Sequence, residues 1–152
     1  MINIDHFHAA ELSKSGLSRF LNRAREAVGL DGDVDVLLTD DATLRGLNKT
    51  FRHKNKATDV LSFPAAENPY GHAGDLAISL DTAARQATAF GHTLRDEVRI
   101  LLLHGLLHLS GLDHETDNGE MAAREAELRN ELRLPVTLIE RVSATKKRGR
   151  RA

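Results

Sequence analysis

At 152 residues, with 41% hydrophobic and 28% charged side chains and no cysteine, the chain is long enough to bury one core without staples, and it excludes disulfides and thiolate metal sites. The formal net charge of −1 conceals a basic end: Lys146, Lys147, Arg148, Arg150 and Arg151 crowd the last seven residues, and −6 remains without them. No apolar run nears the roughly 20 residues of a membrane-spanning helix, and the start MINIDHFHAA lacks the pattern of a secretion signal, so a soluble cytoplasmic protein with no membrane partner is expected.

Residues 1–143 are expected to form one domain, and residues 144–152 a basic, disordered tail that is either simply solvated or reaches towards nucleic-acid phosphates. In chain order, Leu17, Phe20, Leu21, Ala24 and Val28 recur at the spacing of an amphipathic helix, which Gly29 can cap. Val34 to Leu38 reads as a strand and Thr39 to Asn48 as a short helix. Asp59 to Phe63, stopped by Pro64, and Asp75 to Leu80 are two further strands, with turn-rich Asn68-Pro69-Tyr70-Gly71 between them. Asp81 then caps a helix to about Phe90, and Thr93 caps another to about Ser110, closed by Gly111. Asn118 to Leu132 is a last helix, ended by Leu134-Pro135. The expected fold is α+β, a single domain with a small mixed sheet packed by helices.

His104 and His108 stand four residues apart, hence one turn apart on one helix face, where they can share an ion. His114 follows beyond Gly111, a residue able to reverse the chain and bring back a third imidazole. With eight histidines in the chain, chance supplies only about 0.02 such triples. Three neutral nitrogen donors with a fourth position open is the arrangement of a catalytic zinc, although nickel and copper also accept imidazole. The metal centre is thus expected on a helix and the loop after it. The spacing is that of the long zinc-protease motif, but Gly105 stands where those enzymes place their glutamate base, which disfavours a peptidase mechanism.

The segment HGLLHLSGLDH, His104 to His114, resembles the signature of the YbeY endoribonuclease family. Leu47-Asn48, Phe51-Arg52, Thr58 to Pro64 and Gly74 to Ser79 occur in that family's order, and the resemblance spans about residues 34 to 130. Leu112 departs from it, standing where many members have tyrosine, and the basic tail lies outside the common core. The resemblance implies one zinc ion on His104, His108 and His114 and single-strand-specific cleavage of RNA. It further implies maturation of the 3′ end of small-subunit ribosomal RNA, ribosome quality control, and association with the ribosome or a ribosome-bound protein.

Arg52 and His114 are the expected catalytic residues, and Arg52 and His53 the expected substrate contacts, since a guanidinium forks onto phosphate oxygens and stays charged. Lys54 and Lys56 stand beside them. Asp113 is expected either to accept a hydrogen bond from a ligand imidazole or to cap the last turn, and Asp59 and Asp75 are expected either to do likewise or to satisfy only turn donors. His53, His72 and His92 have no helical partner at ligand spacing and are expected to be solvated. Two other readings use the same histidines: a metallopeptidase-like hydrolase, and a non-catalytic ribosome assembly factor whose metal holds the fold.

Overall fold

The computed structural model describes residues 2–4, 12–55, 58–65 and 71–141. Its elements run β1 (Ile2–Ile4), α1 (Lys14–Val28), β2 (Asp33–Thr39), α2 (Asp41–Arg52), β3 (Val60–Pro64), β4 (His72–Ser79), α3 (Leu80–Phe90), α4 (Leu94–Leu109) and α5 (Glu120–Leu132). The sheet order is β1-β2-β4-β3, with β1, β2 and β4 parallel and β3 antiparallel to β4. The α+β class with a small mixed sheet is therefore as expected. The turn at 68–71, apart from Gly71, and the basic tail at 144–152 lie outside the described residues. Among the described residues no helix is long and apolar enough to cross a membrane.

Period-two alternation decides which side of the sheet each strand residue serves. Val34, Val36 and Leu38 of β2 and Leu76 and Ile78 of β4 face one layer, where they join Leu17 and Phe20 of α1 and the leucines of α4 in the main core. Ala77 faces the other way, against Leu61 of β3 and Leu44 of α2. Helix α4 is buried nearly all round from Leu101 to Leu107, so it is the central post on which α1, α3 and α5 lean, while α2 packs on the other face of the sheet.

Several boundaries differ from the sequence expectation, each for a local reason. β1 was not anticipated, because three residues hold a strand only through parallel pairing with Val36 to Leu38 of β2. Thr39 ends β2 rather than starting a helix; Asp40 caps α2, its carboxylate accepting from the Thr43 N–H at 2.8 Å, and α2 continues to Arg52. Ser79 rather than Asp81 caps α3. Helix α5 starts at Glu120 behind Gly119, which has φ 103° and no capping side chain. Instead the Asp117 carboxylate accepts from the N–H groups of Gly119 and Met121, both at 2.9 Å, and these bonds hold its pKa below the usual value.

A buried polar lock fastens the last described residues. After a helical turn at 138–141, the two terminal guanidinium nitrogens of Arg141 donate to the Glu97 carboxylate of α4, at 2.6 and 2.8 Å. His92 lies 2.7 Å from the same carboxylate, and the Phe90 ring sits under Arg141 at 4.2 Å. The His92 side chain is 9% exposed, so this histidine is part of a buried network and not solvated as expected.

Candidate metal centre

Helix α4 begins at Thr93, whose hydroxyl accepts from the Asp96 N–H at 3.1 Å, with Asp96 and Glu97 at the positive end of the helix dipole. It ends just past His108, where Gly111 takes φ 103° and turns the chain back. The loop beyond is held by the Asp113 carbonyl, which accepts from Thr116 and Asp117, and by the Asp113 carboxylate, which accepts from the Glu115 N–H at 3.1 Å. Asp113 is thus a turn-capping residue, the second of the two roles foreseen for it.

This fold brings together all three histidines read from the spacing. Their ring centres lie 4.8 Å (His104–His108), 5.2 Å (His104–His114) and 5.6 Å (His108–His114) apart, and one nitrogen from each lies within 4.8 Å of the others. The Nε2 atoms of His104 and His108 are 3.2 Å apart. Two nitrogens each about 2.0–2.1 Å from a tetrahedral ion would be separated by about 3.4 Å, so the pair already has the spacing of a chelate. The group can hold a metal ion.

Burial grades across the cluster, with His104 at 5% exposure, His108 half-buried and His114 exposed. Burial, followed by the nearby His104 and His114, pushes the His108 pKa below its ordinary value, with Asp113 and a Leu112 backbone contact opposing weakly. A neutral imidazole keeps the lone pair that a metal requires.

The residue that sequence reasoning missed is Glu125. Its carboxylate oxygens lie 3.3 and 3.4 Å from Nδ1 of His104, with side-chain exposures of 1% and 6% for the pair. A proton on Nδ1 directed at this carboxylate leaves Nε2 free to face the other histidines. A signal was present: Met121, Glu125, Leu128 and Leu132 form the buried stripe of α5, and a glutamate in an apolar stripe needs a partner.

Gly105 explains the absent glutamate. A Cβ there would lie 2.8 Å from Leu76 Cδ2 and 3.3 Å from Ser62 Oγ, because α4 crosses the sheet at this point, and the Ser62 hydroxyl donates to the Gly105 carbonyl at 3.2 Å. The position faces a packed sheet, with no room for a carboxylate.

A cavity of about 440 Å³ opens over the histidines. One wall is the edge strand β3. The Ser79–Asp59 and Ala65–Ala73 bonds put the odd-numbered residues of β3 in the ladder with β4, so the backbone groups of Val60, Ser62 and Pro64 point outward. The Arg52 guanidinium donates to the Ser62 carbonyl and lies 6.0 Å from the Phe63 ring centre, which places it on the cavity rim. Thr58, Asp59, Leu112, Asp113, Glu115 and Leu138 complete the lining. His53 takes φ 58° as the C-cap of α2, exposed and outside that lining; Lys54 is also exposed, and Lys56 lies outside the described residues. A second group, Asp35, His72 and Asp75, is more exposed, with His72 Nε2 3.2 Å from Asp75.

Comparison with known proteins places the chain in a family. A family model described as Endoribonuclease YbeY matches residues 2–133. The Endoribonuclease YbeY of Koribacter versatilis is 56% identical over 140 residues, covering 92% of this chain and 91% of that protein. That of Solibacter usitatus is 50% identical, covering 89% and 90%. A solution structure of a Thermotoga maritima protein superposes with a TM-score of 0.56 at 29% identity, covering 87% of this chain and 89% of that one.

Proposed function

The chain belongs to the YbeY endoribonuclease family, and on that premise we propose that it is a zinc-dependent, single-strand-specific endoribonuclease of ribosomal RNA maturation and quality control. In this reading it acts in the cytoplasm on the 3′ end of small-subunit ribosomal RNA, with the ribosome or a ribosome-bound protein presenting the substrate. The observation that carries it is the convergence of His104, His108 and His114 on the floor of a cavity rimmed by Arg52.

The residues fit one zinc ion: three imidazole nitrogens within 4.8 Å of one another, two of them 3.2 Å apart, with Glu125 beside Nδ1 of His104. Zinc bound there supplies Lewis acidity towards a phosphoryl oxygen and towards water. The chain's own residues do the rest. Arg52 binds the phosphoryl group that gains negative charge, and its bond to the Ser62 carbonyl aims the guanidinium along the cavity. His114, the exposed member of the triad, meets substrate at the mouth, and His53 contacts the RNA backbone on the outer side of Arg52. Since Gly105 has no room for a carboxylate, a peptidase mechanism is disfavoured. The main core closes through apolar contacts, which favours a catalytic over a fold-holding metal.

The test is metal content and cleavage of a single-stranded ribosomal RNA fragment by wild type and His108→Ala. Near-stoichiometric zinc and cleavage should vanish together while the fold persists. Cleavage that survives loss of metal refutes the reading, and unfolding on metal removal transfers it to the structural role. Arg52→Ala should lose cleavage with its zinc intact.

A further inference from the structure

Four arginines gather on the far side of α4 from the histidines. Arg19 and Arg23 stand one turn apart on α1, Arg95 and Arg99 one turn apart on α4, and the four line a cavity of about 260 Å³ with Phe20 and the start of α1. Residues advance about 100° each around a helix, so positions 95 and 99 lie opposite positions 104 and 108. The two cavities share no lining residue.

Among the described residues this concentration of charge is costly and weakly compensated. The Arg99 side chain is only 14% exposed, its guanidinium lies 4.5 Å from the Phe20 ring centre, and Asp96 is the carboxylate it meets, at 3.4 Å. Arg23 lies over the same ring at 5.7 Å. Burial and then the Arg95 charge lower the Arg99 pKa, with Arg23 adding to them against Asp96. The first turn of α1 carries no acidic residue, so its N–H groups add positive potential beside Ser13 and Gly16. In a chain of formal net charge −1, four guanidiniums around one small hollow call for an anion.

We propose that this hollow is a second phosphate-binding site, which holds the backbone of an RNA strand several nucleotides away from the cleaved bond. The proposal rests on the nuclease reading. Guanidiniums fork onto phosphodiester oxygens, and Phe20 at 4% exposure is too covered to stack a base, so the contact positions RNA without reading its sequence. The site gives long single strands an affinity that a short oligonucleotide filling only the metal cavity does not share.

The test uses Arg19→Gln/Arg23→Gln/Arg95→Gln, all exposed positions, in the zinc-loaded full chain. The probes are a single-stranded RNA of a few tens of nucleotides and a short oligonucleotide with the same cleavage sequence. KM for the long RNA should rise roughly tenfold with kcat unchanged, and the short substrate should be unaffected. The slope of log affinity against log salt for the long RNA should flatten by about 2, since each lost phosphate contact removes about 0.7. An unchanged KM and slope overturn the proposal and leave the patch to an acidic protein. If wild type cuts neither RNA, the nuclease reading fails, and the salt slope from fluorescence anisotropy still decides the site. Should the triple variant misfold, Arg19→Glu carries the same readouts.

Discussion

Replacing Glu125 separates its effect on the metal from its effect on the fold. Its carboxylate is 1% exposed, and His104 Nδ1 at 3.3 and 3.4 Å is the partner it meets, so an ion held beyond the ring would be the chief balance to its charge. Removing a carboxylate behind a metal-bound imidazole typically lowers metal affinity about 10- to 100-fold, or about 1.4–2.7 kcal/mol. Glu125→Gln keeps an acceptor oxygen for the Nδ1 proton and belongs at the lower end; Glu125→Met removes it and belongs at the upper end. Competition against a chromophoric chelator measures both, beside the melting temperature of each metal-free protein. Zinc affinities equal to wild type in both variants would refute the role. Equal losses in zinc affinity and metal-free stability would make Glu125 a packing residue instead.

Gly105→Ala gains about 1 kcal/mol of helix propensity but drives a methyl to 2.8 Å from Leu76 Cδ2, an overpacking of about 1–3 kcal/mol, so the melting temperature should fall by a few degrees. A rise would mean that α4 shifts freely from the sheet. Asp41 takes hydrogen bonds from Ser79 at 2.5 Å, Thr82 at 2.6 Å and Arg85 at 2.9 Å. Burial raises its pKa, but those bonds and the Arg85 charge outweigh it and hold the carboxyl below its usual range. A depressed carboxylate stabilises above its unfolded pKa and loses that contribution as pH falls through its folded value. Urea midpoints of wild type and Asp41→Asn should therefore differ at neutral pH and converge in the acid range below the usual carboxylate value; a constant gap would contradict this linkage.

The three histidines were legible because their geometry is local: one helical turn joins His104 to His108, and one glycine with positive φ returns His114. The β-branched and aliphatic run of β2 and the caps at Gly29 and Thr93 were legible for the same reason. What escaped depends on distant chain segments. Glu125 meets His104 across 21 positions and Arg141 meets Glu97 across 44, and no periodicity encodes such pairs. His92 looked solvated because its acceptor, Glu97, lies five residues on across the start of α4, in a buried network that Arg141 completes. The three residues of β1 are a strand only beside β2.

The Arg141 lock makes the order of synthesis matter. Leu138, which walls the cavity, and Arg141, which neutralises Glu97, are among the last residues that a ribosome adds to the described fold. A nascent chain stalled before them has its histidines but an open wall, and α4 carries a buried carboxylate lacking its cation. Until that segment docks, the cavity of an RNA-cutting fold stays unwalled and its central helix unbalanced.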